Sequence, residues 1–260
     1  MTFHHQNKNL LHFPTLPTNL QSITHLSVYK NKIKDIPPAL WQATKLETLN
    51  LADNKIEYIS EEIINLQKLR MIDLGHNNIK ELPKNIGHLK QLDLFLYLSN
   101  NQIKHVPDSF KNLKQLKYLN LTDNLLNDIP AAICGMENLL ELRLYNNQIK
   151  NIPAHISNLN KLRELHLMDN KIEYLPEEIG ELKDVKILSF RNNKIKEIPA
   201  SIGELKELLY FDLRGNKLTA FPKSILKLNK LEKLDLRWNI DLVIPEWIGE
   251  LTKKGCLVYG

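Results

Sequence analysis

One asparagine recurs along nearly the whole chain. It stands at Asn31, Asn54, Asn77, Asn101, Asn124, Asn147, Asn170, Asn193, Asn216 and Asn239. The step is 23 residues throughout, except for 24 between Asn77 and Asn101. Around each Asn the pattern reads L-x-x-L-x-L-x-x-N-x-I-x-x-I-P-x-x-I-x-x-L-x-x, clear in LRELHLMDNKIEYLPEEIGELKD over residues 162–184. Ten of the twelve prolines occupy one position of that pattern. A period of this length marks an architecture of stacked, similar units. It leaves no room for a second domain or a flexible linker among these residues.

The physics of one unit follows from its pattern. The x-L-x-L-x segment alternates with period two, so it predicts a short strand with one buried face. The Asn closes that strand. Its side-chain amide both donates and accepts, so stacked Asn residues can satisfy turn backbone groups that would otherwise be buried unpaired. The Ile-Pro step fixes φ and removes a donor, which suits an extended return path or the opening of a short helical turn. The I-x-x-L spacing that follows, as in Ile86 and Leu89, Ile179 and Leu182, or Ile202 and Leu205, turns both apolar groups inward. One unit cannot bury its own apolar face, whereas a stack of ten buries a continuous core.

These residues resemble the leucine-rich repeat proteins, and within them the 23-residue Ile/Leu-Pro subtype of bacterial and Ras-group intracellular proteins. The resemblance covers residues 10–260. It implies an α/β fold: a right-handed solenoid or horseshoe, with about ten parallel strands on the concave side and short helices or turns on the convex side. At about 4.8 Å per strand the sheet would run roughly 45 Å. The expected organisation is a single domain over 1–260. Residues 1–22 form a partial repeat and N-terminal cap through Leu10, Phe13, Pro14 and Leu20. Ten repeats occupy 23–245. Residues 246–260 form a C-terminal cap, with a short helix and a closing strand through Cys256 and Val258.

Three departures stand out. The fourth repeat carries an extra residue near Leu92 to Leu94, Ser60 replaces the proline of the second, and Asp241 replaces an Ile in the last, leaving Ile240 or Leu242 to fill the core. Gly87, Gly180, Gly203 and Gly249 share one repeat position, which marks them as structural.

The non-Leu strand positions predict four outward columns. The first is His25, Thr48, Met71, Phe95, Tyr118, Glu141, Glu164, Ile187, Tyr210 and Lys233. The second is Ser27, Asn50, Asp73, Tyr97, Asn120, Arg143, His166, Ser189, Asp212 and Asp235. The third is Tyr29, Ala52, Gly75, Ser99, Thr122, Tyr145, Met168, Arg191, Arg214 and Arg237. The fourth, at the strand edge, is Lys30, Asp53, His76, Asn100, Asp123, Asn146, Asp169, Asn192, Gly215 and Trp238. Met71, Phe95, Tyr97, Tyr118, Tyr145 and Met168 gather large apolar groups that the repeat's packing does not require, and clustered exposed aromatics are typical interface anchors. Arg191, Arg214 and Arg237 form a row that reads either as a carboxylate- or phosphate-recognising strip or as a lattice balanced by Asp212 and Asp235. Arg143, His166 and Tyr210 complete the candidate binding set.

Charge and motifs exclude more than they assign. The net charge is +5, yet the four columns hold six Lys/Arg and eight Asp/Glu, or −2. The basic excess lies on lysines elsewhere, such as Lys32, Lys80 and Lys150. Nucleic acid, which calls for a concentrated basic footprint, is not an expected partner. No P-loop, G-x-G-x-x-G, H-E-x-x-H or C-x-x-C occurs, so neither a cofactor nor a metal is expected. His166, Ser189 and Asp212 are adjacent in one column, but a hydrolytic triad needs His between the other two. Glu141 and Glu164 beside Arg143 read as an ion cluster. The two cysteines, Cys134 and Cys256, exclude a disulfide scaffold and read as free thiols. The first residues lack the pattern of a signal peptide, and no apolar run is long enough to span a bilayer.

The sequence thus predicts a non-enzymatic scaffold that binds a protein or peptide on its concave face, as a monomer or weak homodimer. The resemblance implies a bacterial cytoplasmic adaptor, or an effector delivered to a host without a cleavable signal. Alternatives are a small-ligand or glycan receptor on the aromatic patch and, with least support, a hydrolase around His166.

Overall fold

A computed structural model describes all 260 residues. Contacts divide the chain into two compact units, Met1–Leu125 and Leu126–Gly260. The first holds β1 (Thr2–His4), β2 (His25–Ser27), β3 (Thr48–Asn50), β4 (Met71–Asp73), β5 (Phe95–Tyr97) and β6 (Tyr118–Asn120), each parallel to the next. The second holds β7 (Glu141–Arg143), β8 (Glu164–His166), β9 (Ile187–Ser189), β10 (Tyr210–Asp212), β11 (Lys233–Asp235) and β12 (Leu257–Tyr259), paired in the same way. β2 to β11 are the ten repeat strands. The middle residue of each, from Leu26 and Leu49 to Phe211 and Leu234, is buried.

The strands are only three residues long because a left-handed residue soon follows. Lys30, Asp53, His76, Asn100, Asp123, Asn146, Asp169 and Asn192 have φ between 53° and 59°, and Gly215 and Trp238 reach 64°. The fourth column is therefore a turn, not the strand edge that alternation predicts. Short polar residues tolerate this region best, which accounts for the Asp and Asn found there.

The ladder Asn comes next, and its amide links two turns. Asn54 Nδ2 donates to Leu51 O in its own turn and to Val28 O in the turn before, both at 3.0 Å. Its Oδ1 accepts from Ile33 N–H at 3.1 Å. Asn193 repeats the arrangement with Phe190 O at 3.0 Å, Leu167 O at 2.9 Å and Ile172 N–H at 3.0 Å. These side chains are buried, so each satisfies backbone groups that water cannot reach.

The return path is a 3-10 turn preceded by an extended proline. Pro107 has φ −63° and ψ 147°, and its carbonyl accepts from Phe110 N–H at 3.0 Å to open the turn Asp108–Asn112. Where Ser60 replaces proline, its Oγ accepts from Glu62 N–H at 3.2 Å and caps the turn instead. α-Helical turns occur at α1 (Ala131–Cys134) and α2 (Gly249–Lys253). The 3-10 turns stack closely: a Cβ on Gly180 would lie 2.5 Å from Ser201 O, and one on Gly203 2.4 Å from Ser224 O. Gly249 has open space instead, so its place in the repeat does not imply a packing role.

The departures resolve as follows. The extra residue of the fourth repeat falls between Leu92 and Phe95, just before β5, and the pairing of Met71 with Phe95 is kept. Of the two residues offered for the last core position, Ile240 is 93% exposed and Leu242 is half-buried, so Ile240 does not fill it. β1 arises from a segment with no L-x-L pattern and buries only Phe3 against β2. Both cysteines are free and buried, and burial pushes the Cys134 thiol up to about 12.

Two stability predictions follow from this packing. Gly180→Ala should cost about 1–3 kcal/mol by overpacking, and Gly249→Ala should be neutral within about 0.5 kcal/mol, measured by urea unfolding. Asn193→Ala leaves the Ile172 N–H without its partner and removes one of the two amide donors on each of Leu167 O and Phe190 O, which keep Asn170 and Asn216, and it should cost about 1–3 kcal/mol. A loss below about 0.5 kcal/mol would mean the ladder is dispensable.

Candidate interaction surface on the sheet face

In the first unit the strand register lines up Thr48, Met71, Phe95 and Tyr118 in one row, and Asn50, Asp73, Tyr97 and Asn120 in the next. Phe95 and Tyr118 pair directly across strands, with ring centroids 4.9 Å apart at 31°. Phe95 and Tyr97 lie two residues apart on the same face, 5.4 Å between centroids at 22°. The three rings and Met71 are half-buried, each lying against its neighbours with one side toward solvent. The third column beside them is short and mostly buried, through Ala52, Gly75 and Thr122. Burial pushes the Asp73 carboxyl up, offset in part by the Gly75 N–H donated to it at 3.0 Å.

The second unit presents a different chemistry. Arg143 pairs with Glu141 on its own strand, and His166 Nε2 lies 3.0 Å from Glu164. Arg214 holds Asp212 at 2.6 Å and reaches Asp235 at 3.4 Å, and Arg237 holds Asp235 at 2.6 Å. Asp235 is 0% exposed. Burial alone would push its carboxyl up, but Arg237 and Arg214 hold it below the ordinary range. Arg191 is less well satisfied. It reaches Asp169 only at 3.4 Å, and its Nε is buried without a partner. Of the two readings of the arginine row, two members belong to the balanced lattice, and Arg191 retains unused donor capacity.

Met168, Ile187 and Tyr210 stand around a hollow of about 300 Å³, with Ser189 and Asp212 also in its lining. His166 Nε2 is directed at Glu164 and Asp212 at Arg214, so neither is arranged to activate Ser189. The donor atoms of Glu141, Glu164 and His166 lie within 4.8 Å of one another. The Arg143 guanidinium already serves as the cation on Glu141, and three donors fall short of a closed metal shell.

Family models match along the chain: a leucine-rich repeat region at residues 148–253, a leucine rich repeat at 44–103 and 95–149, and leucine rich repeats in two copies at 21–66. A leucine-rich repeat protein of Leptospira interrogans, LIC12759, is 30% identical with a TM-score of 0.58, over 98% of this chain and 82% of that one. The chain belongs to the leucine-rich repeat family. Two further solved structures are similar. The plant peptide hormone receptor RGFR1, in complex with RGF2, is 26% identical with a TM-score of 0.75. That match covers 99% of this chain and 46% of the receptor, so this chain spans about half its length. The internalin InlF of Listeria monocytogenes is 23% identical with a TM-score of 0.70, over 92% of this chain and 74% of that one, a likeness of fold. No curated protein matches the chain.

Leucine-rich repeat families are generally non-enzymatic interaction modules, and their fold supports a protein-interaction scaffold. No helix here is long and apolar enough to cross a membrane. The structure brings Met71, Phe95, Tyr97 and Tyr118 together in one unit, and His166, Met168 and Tyr210 around the hollow of the other. Sequence reasoning missed the C-terminal end of this leucine-rich repeat chain. Trp238, Ile240, Val243 and Leu257 are exposed there, and the Arg237 guanidinium lies 5.8 Å from the Trp238 ring and 5.0 Å from that of Tyr259. Trp238 falls at a position that favours Asn, Asp or Gly, and that mismatch was the available signal.

The Asp235 carboxylate sets a pH dependence. Its pKa is depressed, so it stabilises the fold above the ordinary carboxylate range, and that stabilisation is lost as pH falls through its folded-state value. Asp235→Asn should lower the melting temperature at pH 7, and the gap from wild type should close as the pH approaches 3. A gap that stays constant would show that the ion pairs carry no stability.

Proposed function

We propose that this chain is a non-enzymatic scaffold that binds a protein or peptide segment on its sheet face. The carrying observation is the ring cluster of Phe95, Tyr97 and Tyr118, packed at 4.9 and 5.4 Å yet half-open to solvent. Rings held by one another lose little freedom when a partner covers them. The same rigidity belongs to every row of a sheet whose backbone is paired. The exposed end of the Arg191 guanidinium and the hollow by Met168, Ile187 and Tyr210 supply a second point of contact: a carboxylate for the arginine and one apolar side chain for the hollow. The likeness to a plant receptor solved with a peptide hormone supports a partner of this kind.

The further expectations belong to this reading. The ten repeats and two caps act as a single domain of the 23-residue Ile/Leu-Pro subtype. The Leptospira relative supports a bacterial source, in which the scaffold would serve as an adaptor or effector, and two buried free thiols suit a reducing compartment.

Selection of displayed random peptides on the immobilised chain tests the site. Selected peptides should bind Phe95→Ala and Tyr118→Ala variants at least about tenfold more weakly than wild type, the scale of a hot-spot residue. Melting curves would verify that both variants fold. Peptides that bind the folded variants as tightly as wild type would move the site off this cluster.

A further inference from the structure

The outer side of the first unit carries a groove that the sheet-face reading does not use. Its volume is about 570 Å³, within the range of small-molecule sites. Leu82, Val106, Pro107 and Leu125 form its apolar lining, and Lys80, Lys84 and Lys104 stand at its rim.

The lining departs from the rest of the repeat. The residue after the ladder Asn is polar in eight of ten repeats, as in Asn78, Gln102, Gln148 and Lys171, but it is Leu125 at the groove. The residue before the turn proline is Ile, Leu or Phe at the equivalent positions, and the smaller Val106 stands here. One substitution adds an apolar wall and the other opens the space beside it.

The lysines matter because three of them line the same groove. Some cross-repeat lysines are matched with carboxylates, Lys196 at 3.8 Å from Glu173, Lys227 at 3.2 Å from Glu204 and Lys230 at 2.6 Å from Glu207, whereas others follow lysine by one period, as Lys171, Lys194 and Lys217 do. Lys80 and Lys104 occupy the same repeat position as that Glu173–Lys196 pair, yet they set two like charges side by side. Neither they nor Lys84 form a salt bridge, and all three are exposed. Glu81 is the one carboxylate in the lining.

We propose that this groove binds a small amphipathic anion. The apolar body lies on Leu82, Val106 and Leu125, and the charged end, a carboxylate, phosphate or sulfonate, sits among the three lysines. An ammonium is a point charge without the planar fork of a guanidinium, so the site favours negative charge over one headgroup shape.

The probe is 8-anilinonaphthalene-1-sulfonate, titrated by fluorescence into the full chain under native conditions. Wild type should show saturable binding of one molecule per chain, weakened as salt is raised. The Lys80→Glu/Lys104→Glu pair should weaken binding by at least about tenfold, and Lys80→Gln/Lys104→Gln by a smaller factor. Leu125→Gln, which restores the usual residue class, should also weaken it without lowering the melting temperature. Octanoate and octyl phosphate should displace the probe, and their relative strength ranks the headgroups. Unchanged affinity in the folded charge variants, or binding that never saturates, would overturn the proposal. Neither result bears on the sheet-face site, which Tyr118→Ala addresses separately.

Discussion

The structure depends on one side-chain amide per turn. Each turn contributes a strand of only three residues, too short to be stable by itself. The left-handed residue that ends it swings the following backbone into the stack, where carbonyls and N–H groups lie beyond the reach of water. The ladder Asn answers both needs at once, donating to two carbonyls and accepting from one N–H across adjacent turns. The spacing from strand to Asn is therefore rigid. The fourth repeat illustrates this: its extra residue lies between Leu92 and Phe95, before β5, and Phe95 stands six residues from Asn101 as Met71 does from Asn77. Length can vary where the chain returns from the 3-10 turn, but not where the amide must reach.

That rigidity decides where chemistry can vary. The Leu, Ile, Asn and Pro positions are committed to the stack, which leaves the outward columns and the outer turns. On the sheet face the side chains two residues apart along the chain interact repeatedly: Phe95 with Tyr97, Glu164 with His166, Asp212 with Arg214 and Asp235 with Arg237. In the first unit this arrangement supports rings, and in the second it supports ion pairs. A partner gains little Coulomb energy from an arginine already held by two carboxylates, because it must replace what it displaces. Aromatic cover therefore carries more of the proposed affinity than the arginine row suggests.

What was legible in the sequence is what repeats. The period placed β2 to β11, the ladder and the outward columns, because ten copies average out the accidents of any one. Single occurrences were hidden. β1 rests on Phe3 alone, without an alternating pattern to announce it. The left-handed turn was disguised as a fourth strand position, since Lys30, His76 and Trp238 obscure the Asn and Asp preference. Repeat position also overreached at Gly249, where no neighbour stacks on the glycine. The arginine row could be listed but not resolved, because whether Arg191 or Arg237 is satisfied turns on differences of under an ångström.

The same limit applies to the lysines, and it shows why net charge is a poor guide to sites in a repeat protein. The chain carries 35 Lys and Arg against 30 Asp and Glu, a balance that describes a soluble surface and little else. Stacking converts that composition into neighbours one period apart. Where the period sets Lys196 against Glu173, or Lys230 against Glu207, the charges cancel locally and the surface is inert. Where it sets Lys80 against Lys104, two like charges lie side by side at the groove. A lysine in a solenoid is therefore informative through the residue 23 or 24 positions away, not through its contribution to the total.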